Sequence, residues 1–164
     1  TRDFLLLALV FSQTCGFENG NASGRLISSP DKEFKIKYFP IIKDYLSGRS
    51  LSTPARIAHK SGIIEVSKMR FDKYTIPMRM MILLHEYSHK YKNPTMDLPI
   101  SDEIGADINA LYIYLGMGFS KVDAIYVYAN VFLNAQTDQN MARMRKIVDY
   151  INKFSNEEFA KRQI

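Results

Sequence analysis

Residues 81–93 read MILLHEYSHKYKN, an apolar run that carries two histidines four apart and a glutamate directly after the first. Nothing else in the chain constrains its fold as strongly. A run this apolar belongs in a core, and histidine and glutamate do not enter a core without partners. On a helix, positions i and i+4 point to the same side, so His85 and His89 can offer two imidazole nitrogens to one ion about 2.0–2.1 Å away. Glu86 lies one residue round from His85. Its carboxylate can reach the open side of such an ion without ligating it and take a proton from water there. The bland alternative is a pair of satisfied core histidines. The chain has only three histidines in all.

Two histidines and a glutamate do not complete a catalytic zinc site, which takes three protein ligands and keeps one position open. The third ligand has to come from a separate element. Fourteen residues after His89 stands Glu103, in the stretch SDEIGADINALYIYLGMGFS. Ser101 suits an N-cap, and Asp102 and Glu103 fall in the first turn of the helix that follows, where negative charge suits the helix dipole. Asp107 lies four residues on and shares a face with Glu103. It is placed to accept the second ring N–H of a ligating histidine, the contact that fixes the tautomer of such a residue. Gly105 and Ala106 leave room for a close helix–helix approach.

The 164 residues suit one domain with a sizeable core, at 46% hydrophobic and 24% charged. The net charge of +5 is spread along the chain without a block of like charges, so no basic face for nucleic acid is written here. No apolar run reaches the 18 residues of a membrane-spanning helix. Residues 1–33 read as a signal sequence and linker. Arg2 precedes the apolar run Phe4 to Phe11, and residues 12–33 are rich in Ser, Asn, Gly and Pro. This layout places the protein outside the cytoplasm; the other reading is an N-terminal helix packed on the domain. Cys15 is the single cysteine, so no intrachain disulfide forms. Its place after the apolar run is that of a lipid-modified cysteine, and a lipid or signal anchor is the one membrane contact expected.

The domain itself is expected over residues 34–164. FKIKYFPIIKDYLSG reads as a short helix around Pro40 ended by Gly48, and ARIAHKSGIIEVSKMRF as two strands around Ser61-Gly62, with His59 in the turn. The motif helix is expected over Ile76 to Lys92, capped by Thr75 with Pro77 in its first turn and ended by Asn93-Pro94. A second helix runs from Ser101 to Leu115 and stops at GMG, and a third from Ser120, with Asp123 completing its cap, to Leu133. The last begins at Thr137-Asp138 and reaches Phe154, with residues 155–164 fraying. The fold class is α+β, mostly α, with a small sheet near the N-terminus.

HExxH followed by ExxxD on a later helix resembles the gluzincin metallopeptidases. The form EIGAD is most similar to the CAAX prenyl protease family and its bacterial relatives, over roughly residues 60–135. The resemblance implies a zincin-like domain with an HExxH active-site helix and a small sheet whose edge strand, GIIEVSKMRF here, holds extended peptide above it. It implies one zinc ion per chain held by His85, His89 and Glu103, Asp107 behind the ligands, Glu86 as the general base, and a polypeptide substrate. The chain departs from that family in having no histidine after His89 and no membrane helices. An extra donor for the oxyanion is required, and the sequence does not identify it; Tyr126, Tyr128 and Arg143 are candidates, each read first as a core or surface residue. The competing reading is a regulatory zinc-binding protein that keeps the fold without turnover, and retention of Glu86 argues against it.

Overall fold

A computed structural model of the chain describes residues 2–14, 26–28, 35–58, 61–90 and 102–162. Cys15, Phe34, His59, Asn93-Pro94 and Ser101, each given a part above, lie outside the described residues. The elements in chain order are α1 (Arg2–Thr14), β1 (Leu26–Ser28), β2 (Lys35–Phe39), β3 (Ala55–Ile57), β4 (Ile63–Ser67), α2 (Lys68–Phe71), α3 (Ile76–Lys90), α4 (Asp102–Gly116), α5 (Lys121–Val127) with a π-helical turn (Tyr128–Phe132), and α6 (Asp138–Arg162). The class is α+β and mostly helical. The strand order is β1-β2-β4-β3, with β2 and β4 parallel and the outer pairs antiparallel.

The short helix expected around Pro40 is absent. Residues 35–39 form β2, because the stretch alternates: Ile36 and Tyr38 are buried and register with Ile64 and Val66 of β4. A period of two matches a half-buried strand, and Pro40, with no N–H to donate, ends it. The chain then folds back through a turn bridged by Lys43 and Ser50, with Gly48 at φ 69°. The expected strands around Ser61-Gly62 are β3 and β4, joined through Gly62 at φ 72°. The strand expected at the sheet's edge is not there, however. β4 is paired on both sides, and among the described residues the edge strands are β1 and β3.

α3 is the central helix. Met80 to Ser88 are all buried, and a helix covered on every side needs neighbours all round. The sheet, α1, α4 and α5 supply them. Thr75 caps it as expected, its Oγ accepting from the Met78 N–H at 3.4 Å. Ser120 caps α5 through the Asp123 N–H, and Thr137 caps α6 through the Asn140 N–H. The first of these helices does not stay α-helical to Leu133. From Tyr128 it widens into the π turn, where the Leu133 N–H donates to the Tyr128 carbonyl. α6 passes Phe154 and runs to Arg162, since NEEFAKR holds good helix formers and no Gly or Pro.

The segment read as signal and linker contributes two elements. β1 pairs with β2, and α1 buries Phe4, Leu7, Ala8 and Phe11. Phe4 stacks on Tyr87 at 4.1 Å between ring centroids, Phe11 lies 5.8 Å from Phe71, and Arg79 Nη1 donates to the Ser12 carbonyl at 2.6 Å. The two readings of this segment differ measurably. With α1 resident, Phe11→Ala is expected to cost about 3–5 kcal/mol in denaturant unfolding. A chain from which the segment is cleaved shows no loss.

Candidate metal centre

The full burial of α3 sets the terms for its polar groups. His85 is 2% and Glu86 7% exposed, so neither is solvated and each needs a partner. α4 brings one. Gly105, Ala106 and Ala110 of α4 are buried, and α4 packs on α3; small residues let two axes approach. A buried hydrogen bond between the helices, from Asn109 Nδ2 to Ser88 Oγ at 3.0 Å, sets their register.

With that register, Glu103 comes up to the two histidines. His85 Nε2 and His89 Nε2 are 3.2 Å apart. Glu103 Oε2 lies 3.9 Å from the first and 3.7 Å from the second. Two ring nitrogens at 3.2 Å must share a proton or a cation between them. The carboxylate distances are too long for hydrogen bonds. They are close to the separation of about 3.4 Å between ligand atoms set tetrahedrally about one ion. His85, His89 and Glu103 are thus a group that can hold a metal ion.

The other ring nitrogen of His85 faces α4 as well: Nδ1 is 3.3 Å from Asp107 Oδ1. A proton on Nδ1 leaves the Nε2 lone pair toward the cluster. Burial pushes the His85 pKa down, offset in part by Asp107, so the ring is neutral and able to ligate near neutral pH. Burial pushes Glu86 the other way, up to about 8, with the Glu103 charge adding to it. A carboxyl at that level exchanges protons near neutral pH.

Arg143 of α6, one of the three oxyanion candidates, is a buried residue. Its Nε and Nη2 grip Asp107 Oδ2 and Oδ1 at 2.8 and 2.9 Å, and Nη2 is 3.1 Å from Glu103 Oε2. A guanidinium so engaged orients the two carboxylates and is not a free oxyanion donor. A signal was there to be read, because Arg143 stands at i−4 and i−8 from the buried Ile147 and Ile151. A cation on an apolar stripe calls for a buried anion. Tyr128 is committed too: its hydroxyl donates to the Asp107 carbonyl at 3.1 Å. Tyr126 is 49% exposed on α5. Beside the cluster stand two aromatic rings of the π turn, Tyr128 edge-on to His85 at 6.0 Å and Phe132 over it at 4.1 Å. Comparison with protein families, with curated proteins and with solved structures finds no match for this chain.

Proposed function

We propose that the chain is a zinc-dependent endopeptidase with a zincin-like domain, in which Glu86 is the general base. The supporting observation is the convergence of His85, His89 and Glu103, whose three donor atoms all lie within 4.8 Å of one another. Two neutral imidazoles and a carboxylate form the donor set of catalytic zinc, and three protein ligands leave a fourth position open. Zinc, when bound, supplies Lewis acidity that acidifies water and polarises a scissile carbonyl.

The rest belongs to the chain's own side chains. Glu86 follows His85 directly and does not belong to the ligand cluster; its ionised form, which a cation on the cluster would favour, accepts a proton from water and returns it to the leaving amine. Asp107 Oδ1, 3.3 Å from His85 Nδ1, is the acceptor that favours a proton on Nδ1 and so turns the Nε2 lone pair to the cluster. Arg143 fixes both α4 carboxylates in place. Burial of His85 and Glu86 lowers the local dielectric, which strengthens every charge interaction at the reacting carbonyl. An extended polypeptide has an edge to pair with at β3, in place of β4.

Metal analysis of the purified protein, with cleavage of unfolded casein measured with and without chelator, tests the reading. About one zinc per chain and chelator-sensitive cleavage are expected. Zinc without cleavage leaves the binding-protein reading, and no zinc ends both. Replacing Glu103 by Ala is expected to weaken zinc binding about 100-fold or more, read by chelator competition; unchanged affinity removes it from the ligand set. Export from the cytoplasm is a separate proposal that rests on the N-terminal layout, and N-terminal sequencing of the protein recovered from a secreting host tests it.

A further inference from the structure

The π turn at the end of α5 has an effect that the zinc site alone does not require. In it, the Leu133 N–H reaches back five residues to the Tyr128 carbonyl. Such turns are uncommon and recur at functional sites. Here the turn ends on Phe132, whose ring lies over the His85 imidazole at 4.1 Å and 30°. Phe132 is only half-buried, whereas His85 beneath it is 2% exposed. The ring therefore covers the ligand and keeps part of its own surface open.

Geometry then limits how far Phe132 can be from the reaction. An ion on His85 Nε2 sits about 3 Å from the imidazole centroid. With the rings 4.1 Å apart, that ion is within about 7 Å of the Phe132 centroid whatever the direction. A group bound to that ion then lies within about 9 Å of the ring centroid, a gap that a large side chain beside the scissile bond can span. We propose that Phe132 is a specificity-determining residue, forming an apolar wall that selects substrates with an aromatic or large aliphatic side chain beside the scissile bond. The proposal rests on the zinc peptidase reading. Its physical content is the contact of one apolar side chain with a partly exposed aromatic ring, and ring–ring contact adds to the gain from burial.

Two zinc-directed probes test it without turnover: acetohydroxamate, which has no side chain to bury, and a benzyl-substituted hydroxamate. In zinc-loaded protein the benzyl probe is expected to bind about 10-fold or more tighter. In zinc-loaded Phe132→Ala the ratio of benzyl-probe to acetohydroxamate affinity is expected to fall to about threefold or less. Phe132→Leu covers the case in which alanine does not fold. It should keep a preference for an isobutyl-substituted hydroxamate and lose most of the preference for benzyl. An equal benzyl preference in the zinc-loaded variants and in the parent overturns the proposal. Probe selectivity that depends on Phe132 in a protein that cleaves nothing sustains the wall and sinks the peptidase.

Discussion

Replacing Glu86 by glutamine is expected to abolish cleavage of an unfolded polypeptide while the protein still takes up one zinc ion per chain. Glutamine keeps the size of the side chain and removes the base. Loss of general-base catalysis alone is worth on the order of 10²–10⁴-fold. His85, His89 and Glu103 are untouched, so zinc content should match the parent. Cleavage at the parent's rate, with zinc bound, removes Glu86 from the mechanism.

The same substitution has a second consequence, visible without metal. Burial first, and the Glu103 charge after it, raise the native Glu86 pKa from 4.5 to about 8. A raised carboxyl pKa contributes stability that is fully present below the unfolded value and is lost as pH rises through the native one. Metal-free parent protein should therefore lose a few kcal/mol between pH 5 and pH 8 from this group. Glutamine does not titrate, so Glu86→Gln should unfold at higher denaturant than the parent at pH 8 in chelator, and the gap should close toward pH 5. Curves that keep a constant gap across that range would show that Glu86 is not held in an apolar environment.

How far the sequence could foretell this site depends on the range of the interaction. The cluster of His85, His89 and Glu103 was legible because helical periodicity is local: His85 with His89 and Glu103 with Asp107 are each four apart, and spacing alone puts each pair on one face. That the two faces meet was an expectation drawn from residue chemistry, and the geometry now carries it, with the Ser88–Asn109 hydrogen bond setting the register. β2 was misread although Lys35, Ile36, Lys37 and Tyr38 alternate: five residues are too few to separate the two periods, and the partner β4 lies beyond the turn and β3. The edge strand was misassigned for a related reason. Pairing on both sides of β4 is a tertiary fact with no local mark. The π turn leaves no signature in YANVF, and with it the ring over His85 was out of sight.

The Arg143 clamp was the least legible contact and carries the second large expected effect. Its partner Asp107 is 36 residues away and 1% exposed. Burial by itself would raise the Asp107 pKa, yet the bonds from His85 and Arg143 hold it below the usual carboxylate value. A depressed carboxyl pKa contributes stability above the unfolded value that is lost as pH falls through the native one, so this group matters in acid, below about pH 4. Replacing Arg143 by Leu leaves a buried carboxylate without its main counter-charge, at a cost of about 3–5 kcal/mol at neutral pH. Replacing Asp107 by Asn in the same chain removes the stranded charge and should recover part of that loss. It does not return Glu103 to its place, because Nη2 of Arg143 is what meets Oε2 at 3.1 Å. The double variant is therefore expected to regain stability in denaturant melts and to remain weak in zinc binding. If both properties recover together, Arg143 serves only to neutralise Asp107 and has no part in orienting Glu103.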